Sequence, residues 1–191
     1  MSAQQQPRKH IIAALVENKP GVLNRVVSLF RRRNFNVDSL TVGRTHKPHI
    51  SRITMVIDGA RLNPRQMAAN LYKLVNVVDV KVISEQLHVE RDLALIKVRT
   101  DDTESYNTVA ELCERFPARI IDMGHEVAIV EITARAELVE EFIDKLKPIG
   151  IIELVRTGVV AMGRGTRIQD TEYEPVVYEN GHPANIERFS V

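Results

Sequence analysis

His10-Ile11-Ile12-Ala13-Ala14-Leu15-Val16-Glu17-Asn18-Lys19-Pro20-Gly21-Val22-Leu23 contains the change of period that decides how this chain folds. Ile11 to Val16 is the longest uninterrupted apolar run in the sequence and reads as a buried strand from His10 to Val16. Glu17-Asn18-Lys19-Pro20-Gly21 stops it. From Val22 onward the apolar positions Val22, Val26, Leu29 and Leu23, Val27, Phe30 recur at spacings of three and four, which is one face of a helix. A strand thus passes through a short loop directly into a helix N-terminus. Arg31-Arg32-Arg33-Asn34 ends the helix: cations in a last turn meet the dipole favourably and Asn is a common stop, so this basic run reads as a helix end rather than a nucleic-acid contact.

Working outward, two β-rich runs follow, Asn36 to Gly43 and Ser51 to Ile57, joined by a polar loop from Arg44 to Ile50. Asn63 before Pro64 supplies a helix cap and a first-turn proline, with Met67, Leu71 and Leu74 on one face. Val77 to Ser84 closes the unit as a strand. The order is β-α-β-β-α-β, the split arrangement of the ferredoxin-like fold. It then repeats. A strand from Val89 to Arg99 leads to a helix bearing Tyr106, Val109, Ala110, Cys113 and Phe116, with Thr103 as its expected cap. Strands Arg119 to Met123 and Glu126 to Thr133 flank the Gly124-His125 turn, and a helix with Leu138, Phe142 and Leu146 precedes Pro148 and the strand Ile151 to Arg156. The reading is therefore α+β, two ferredoxin-like βαββαβ domains in tandem. The expected division is an arm over 1–9, domains over 10–85 and 86–163, and an irregular acidic tail over 164–191. A four-stranded sheet with both helices on one face leaves its other face needing cover, inside the chain or from another chain.

Composition narrows the function classes. The 191 residues hold 26 Lys+Arg against 25 Asp+Glu, a formal charge of +1, so neither a strongly basic nucleic-acid binder nor an acidic tail protein is indicated. At 44% apolar and 27% charged residues the chain has enough hydrophobic content for packed cores. The longest apolar run is far below the roughly 20 residues of a membrane helix, and no cleavage site follows it, so a cytoplasmic protein off the membrane is expected. The single cysteine, Cys113, agrees with a reducing compartment and reads as a buried small hydrophobe. Residues 170–191 hold five Asp/Glu and one Arg, and Pro175, Gly181 and Pro183 oppose regular structure there, although Val176-Val177-Tyr178 and Phe189 suit docking on a partner.

Candidate chemistry concentrates in the first loop. A helix N-terminus attracts a carboxylate, Gly21 has no side chain to obstruct one, and Pro20 suits an early helical position. Asn18 and Asn36 add amides that donate to a carboxylate and accept from an ammonium. From the residues alone, a capped helix start and a ligand loop both stand. His46 and His49 with no nearby carboxylate or cysteine cluster do not close a metal site, and Gly163-Arg164-Gly165 lacks the rest of a dinucleotide fingerprint. No nucleophile elbow and no paired-carboxylate constellation offers a catalytic residue.

Glu17-Asn18-x-Pro-Gly21-Val22-Leu23, followed by Phe35-Asn36-Val37-Asp38-Ser39-Leu40-Thr41-Val42, resembles an ACT domain and, more closely, the opening of the regulatory small subunit of acetolactate synthase (acetohydroxyacid synthase). His88-Val89-Glu90-Arg91-Asp92-Leu93-Ala94-Leu95-Ile96-Lys97-Val98 and Arg156-Thr157-Gly158-Val159-Val160-Ala161 resemble the same family, so the likeness spans roughly residues 8–168. The resemblance implies a non-catalytic subunit of branched-chain amino-acid biosynthesis. Such a subunit binds the catalytic large subunit, raises its activity and confers feedback inhibition by valine or a related end product. Thiamine diphosphate, Mg and FAD are then expected on the large subunit, with no cofactor on this chain. The resemblance also implies a homodimer through the ACT domains, with the amino acid at their interface. Carried onto this sequence, the effector residues are Asn18, Gly21, Val22 and Leu23 of one chain and Asn36 and Val37 of the other. Two other readings compete: a stand-alone amino-acid sensor acting on another protein, which has no helix-turn-helix for reading DNA itself, and an acylphosphatase-like enzyme, suggested by topology alone.

Overall fold

The computed structural model describes residues 9–33, 35–59, 63–165, 178–179 and 182–183. Asn34, Val176-Val177 and Phe189 lie outside them, as do most other residues of the arm and the tail.

The first unit runs β1 (Lys9–Glu17), α1 (Val22–Arg32), β2 (Val37–Arg44), β3 (Ile50–Asp58), α2 (Pro64–Tyr72) and β4 (Val77–Val82). Its strands lie in the order β2-β3-β1-β4 with every neighbour antiparallel. The period-two alternation of β1 and β3 puts Ile12, Ala14, Val16, Ile53, Met55 and Ile57 on one face. There they meet Val22, Val26 and Phe30 of α1 and Met67 and Leu71 of α2. Asn63 caps α2 as its sequence implied, accepting from the N–H groups of Arg65 (3.1 Å) and Gln66 (3.3 Å).

The second unit repeats the plan: β5 (His88–Arg99), α3 (Thr103–Arg115), β6 (Ala118–Met123), β7 (Val127–Ala134), α4 (Ala136–Leu146) and β8 (Ile151–Arg156), in the order β6-β7-β5-β8. The α+β reading with two ferredoxin-like units is what the structure shows. Thr103 is not the cap of α3. Asp102 holds that place, accepting from Ser105 N–H (2.6 Å) while Ser105 Oγ accepts from Asp102 N–H, and Thr103 becomes the first helical residue. Cys113 is half-buried against the core, and burial pushes its thiol up, away from reactivity. A charge cluster around the buried Asp92 closes the end of this unit. Asp92, whose side chain is 2% exposed, accepts from Arg156 Nε (3.0 Å) and Nη2, and Arg156 Nη1 reaches Glu140 on α4. Burial acts to lower the Arg156 pKa, but hydrogen bonds to Glu140 and Asp92 outweigh it and leave the guanidinium above its ordinary value.

The helix-free face of the first sheet is covered from within the chain. Ile11, Ala13 and Val56 pack against Ile83, Val159 and Ala161, the last on β9 (Val160–Gly163). β9 pairs with His88–Arg91, the first residues of β5, whose remainder runs on into the second sheet. One strand thus belongs to both layers. Arg52 donates to the Ala161 carbonyl (2.6 Å), Val159 N–H to Ser39 Oγ (3.3 Å), and Thr41 Oγ1 to the Thr157 carbonyl (3.1 Å). Gly158 makes this approach possible. It sits at φ +80°, and a Cβ there would lie 3.0 Å from Ser39 Cβ. Gly158→Ala is therefore expected to lower stability by at least about 1–2 kcal/mol, the cost of left-handed backbone for a residue with a Cβ. Urea unfolding measures it, and an unchanged midpoint would remove Gly158 from the account of how the units dock.

Candidate functional site

The β1–α1 loop is held from below. Glu17 is buried at the end of β1. Asn76 Nδ2 donates to its carboxylate (2.6 Å), its own N–H donates to the Asn76 carbonyl (2.9 Å), and Lys19 Nζ lies 3.1 Å from it. Arg25 Nη1 donates in turn to Asn76 Oδ1 (3.1 Å), and Asn18 N–H donates to the His49 carbonyl (2.8 Å). These contacts present Gly21 as the N-cap of α1 at φ +82°, with no side-chain cap and no acidic residue in the first turn. The positive end of the helix dipole therefore stands without an anionic partner on its own helix. A Cβ built at Gly21 meets nothing within 4 Å, so the approach to this end is open.

Several of the expected site residues take different parts from those their types suggested. Pro20 precedes the cap and shapes the loop instead of occupying the first helical turn. Val22 is buried in the core, so its side chain is not available to a ligand and only its backbone faces the loop. Its N–H already points to the Lys19 carbonyl at 3.4 Å. Val37 likewise packs against the core. Asn18, Gly21, Leu23 and Asn36 are exposed. Asn36 Nδ2 points to Asp38 Oδ1 (3.5 Å), and Asp38 pairs with Lys9 (3.0 Å).

Strand register keeps the two halves apart within one chain. Val37 and His10 both lie opposite Ile57, so Asn36 stands beside the start of β1, whereas the loop leaves the other end of β1 beside Ile50. Eight residues of strand separate the levels, about 26 Å at 3.3 Å per residue. β2 is an edge strand of its sheet, with β4 at the other edge. On the helix-bearing side, Leu23 and Val27 of α1 are 41% and 42% exposed and Val42 of β2 is 47% exposed. Val27, Glu17, Asn76 and Arg25 were not among the effector residues expected from sequence. Val27 shares the spacing of Leu23 along α1 and was legible from it. Asn76 lies 59 positions from Glu17, and no local pattern links them.

His46 and His49 lie in the β2–β3 loop, and among the described residues no group of three or more His, Cys, Asp or Glu gathers as metal ligands would. No described helix is long and apolar enough to cross a membrane.

Comparison with known proteins covers both units. A family model described as the AHAS small subunit-like ACT domain matches residues 12–79, and one described as the small subunit of acetolactate synthase matches residues 91–165. The probable acetolactate synthase small subunit of Archaeoglobus fulgidus is 46% identical over 159 residues, 83% of this chain and 99% of that protein. The acetolactate synthase small subunit of Aquifex aeolicus is 37% identical over 169 residues, 88% of each chain. The crystal structure of the acetolactate synthase small subunit from Thermotoga maritima superposes with a TM-score of 0.76 at 42% identity, covering 84% of this chain and 99% of that one. The family matches end at residue 165, and the acidic tail lies beyond them.

Proposed function

Because the chain belongs to the family of acetolactate synthase small subunits, we propose that it is the regulatory partner of a catalytic acetolactate synthase subunit, raising that subunit's activity and making it sensitive to valine. Chemistry at thiamine diphosphate, with Mg and FAD, then resides on the large subunit, and this chain works beside it in the cytoplasm without a cofactor of its own.

The observation that carries the effector reading is the separation of the loop from Asn36 along one sheet. β1 and β2 run parallel, since each is antiparallel to β3, so Arg44 ends β2 at the level where the loop leaves β1. Pairing two copies antiparallel through edge strand β2 carries the second copy's Asn36 to that end. A site split in one chain is completed by two. The helix N-terminus at Gly21 and Leu23 receives the valine carboxylate, the amides of Asn18 and the other copy's Asn36 hold its polar end, and Leu23 and Val27 supply the apolar wall. A ligand at such an interface changes the balance between arrangements only by its difference in affinity for them, and a coupling of about 1–3 kcal/mol gives clear inhibition.

The test is reconstitution: the catalytic subunit from the same genome, assayed with and without this chain across a valine titration. Higher turnover together with new valine inhibition is the expected result. Activation with no valine response would keep the partner and discard the effector loop, and no effect on turnover would discard the regulatory reading itself.

A further inference from the structure

Where β5 and β9 pair, they form a two-stranded ribbon whose inner side lies on the first sheet. Its register sets the two sides: Glu90 opposes Ala161, which is buried, while Val89 opposes Met162 and Arg91 opposes Val160 on the outer side. Arg164 follows Met162 at the same parity. This outer side is unusually apolar for a surface, with Met162 68% exposed and the adjoining Leu87 80% exposed. It borders a hollow of about 310 Å³ that Leu87, Val89, Arg91, Arg135 and Arg164 help to line. None of those three guanidinium groups meets a carboxylate among the described residues, and Arg91 Nη1 donates to the Glu90 carbonyl (2.7 Å). Arg135 stands at the N-cap of α4, where the helix dipole disfavours a cation.

We propose that this arginine-rimmed apolar strip is the docking site of the chain's own acidic tail, with Asp170, Glu172 and Glu174 facing Arg91, Arg135 and Arg164. Three observations select this occupant. The tail leaves the strip itself, because Arg164 lines the hollow and the chain continues from Gly165. Six to ten further residues reach about 20–35 Å when extended, enough to turn back across the ribbon. Its carboxylates fall at alternate positions, 170, 172 and 174, so an extended run presents all three on one side and Thr171 and Tyr173 on the other, followed by Val176 and Val177 for apolar cover. Covalent attachment makes the pairing intramolecular, so three exposed ion pairs of modest individual strength suffice. Docked there, the tail straps the ribbon that joins the two units.

The experiment uses the full chain with Cys113→Ala and a nitroxide at Tyr173→Cys, read by electron paramagnetic resonance at low and at 1 M salt. The expected spectrum is immobilised at low salt and mobile at high salt. Arg91→Glu with Arg164→Glu is expected to free the label, and adding Asp170→Lys, Glu172→Lys and Glu174→Lys is expected to immobilise it again. If the arginine variant loses its fold, the tail variant alone reads the same contact from outside the folded body. A label that is mobile in the parent chain, or immobilised equally in every variant, overturns the proposal. So does re-immobilisation of the arginine variant by mixing with unlabelled parent chain, which would assign the tail to a second copy. Loss of catalytic-subunit binding in the arginine variant with no change at the label would give the strip to that partner instead.

Discussion

Asn36→Ala is expected to raise the valine concentration for half-inhibition of the reconstituted enzyme by about 10- to 150-fold while leaving activation by the subunit nearly intact. Hydrogen bonds to a charged group contribute about 1.5–3 kcal/mol, and each 1.4 kcal/mol is a factor of ten. Within its own chain Asn36 has little to lose: it is exposed, and among the described residues its side chain makes a 3.5 Å contact to Asp38 alone. The substitution therefore removes the proposed contact to the ligand at the proposed interface between copies without touching the core. It also lies at the end of the first unit's sheet away from the loop, so a strong effect on inhibition would itself argue for completion of the site by a second chain. The measurement is a pair of titrations, valine against activity and subunit against activity. Parallel loss in both would break the separation between effector binding and activation.

Arg156→Met is expected to destabilise the second unit by about 3–5 kcal/mol, because it leaves the Asp92 carboxylate buried and unpaired. At about 4–8 °C per kcal/mol for a unit of this size, the melting temperature should fall by more than 10 °C. The partner's identity decides the result. Asp92→Asn combined with Arg156→Met removes the orphaned charge and is expected to regain a large part of the loss. Thermal unfolding by circular dichroism checks both chains, and a single variant that melts within about 2 °C of the parent would show that water reaches Asp92 and that the pair contributes little.

The alternation of period around Val16 to Val22 and the Asn63-Pro64 start were legible because they are local, and local signals survive in any tertiary context. The cap of α3 was missed by one residue, since Asp102 and Thr103 are both capping types and the choice rests on which side chain reaches Ser105. That the first sheet needed cover was legible, but what covers it was not. Val159-Val160-Ala161-Met162 is too short to show a period, and its partners Ser39, Thr41 and Arg52 lie more than a hundred positions away. The loop at Gly21 and the exposed amides of Asn18 and Asn36 were legible as residue types, through their positions and through resemblance. What could not be read was which of them turn inward: Val22 satisfies the same apolar spacing as Leu23, and burial of one and exposure of the other follow from where the sheet lies.

The strand that runs from the covering ribbon on into the second sheet also sets where this protein can be cut and recombined. A chimera that joins another regulatory module to the second unit between Glu85 and His88 would keep the chain continuous yet strip β9 of the surface it covers. The incoming module would need its own equivalents of Ser39, Thr41 and Arg52 to receive Thr157 to Ala161. The transferable piece is therefore not a contiguous segment but the first unit together with that distant ribbon, and swaps designed from chain order alone would join parts that do not mate.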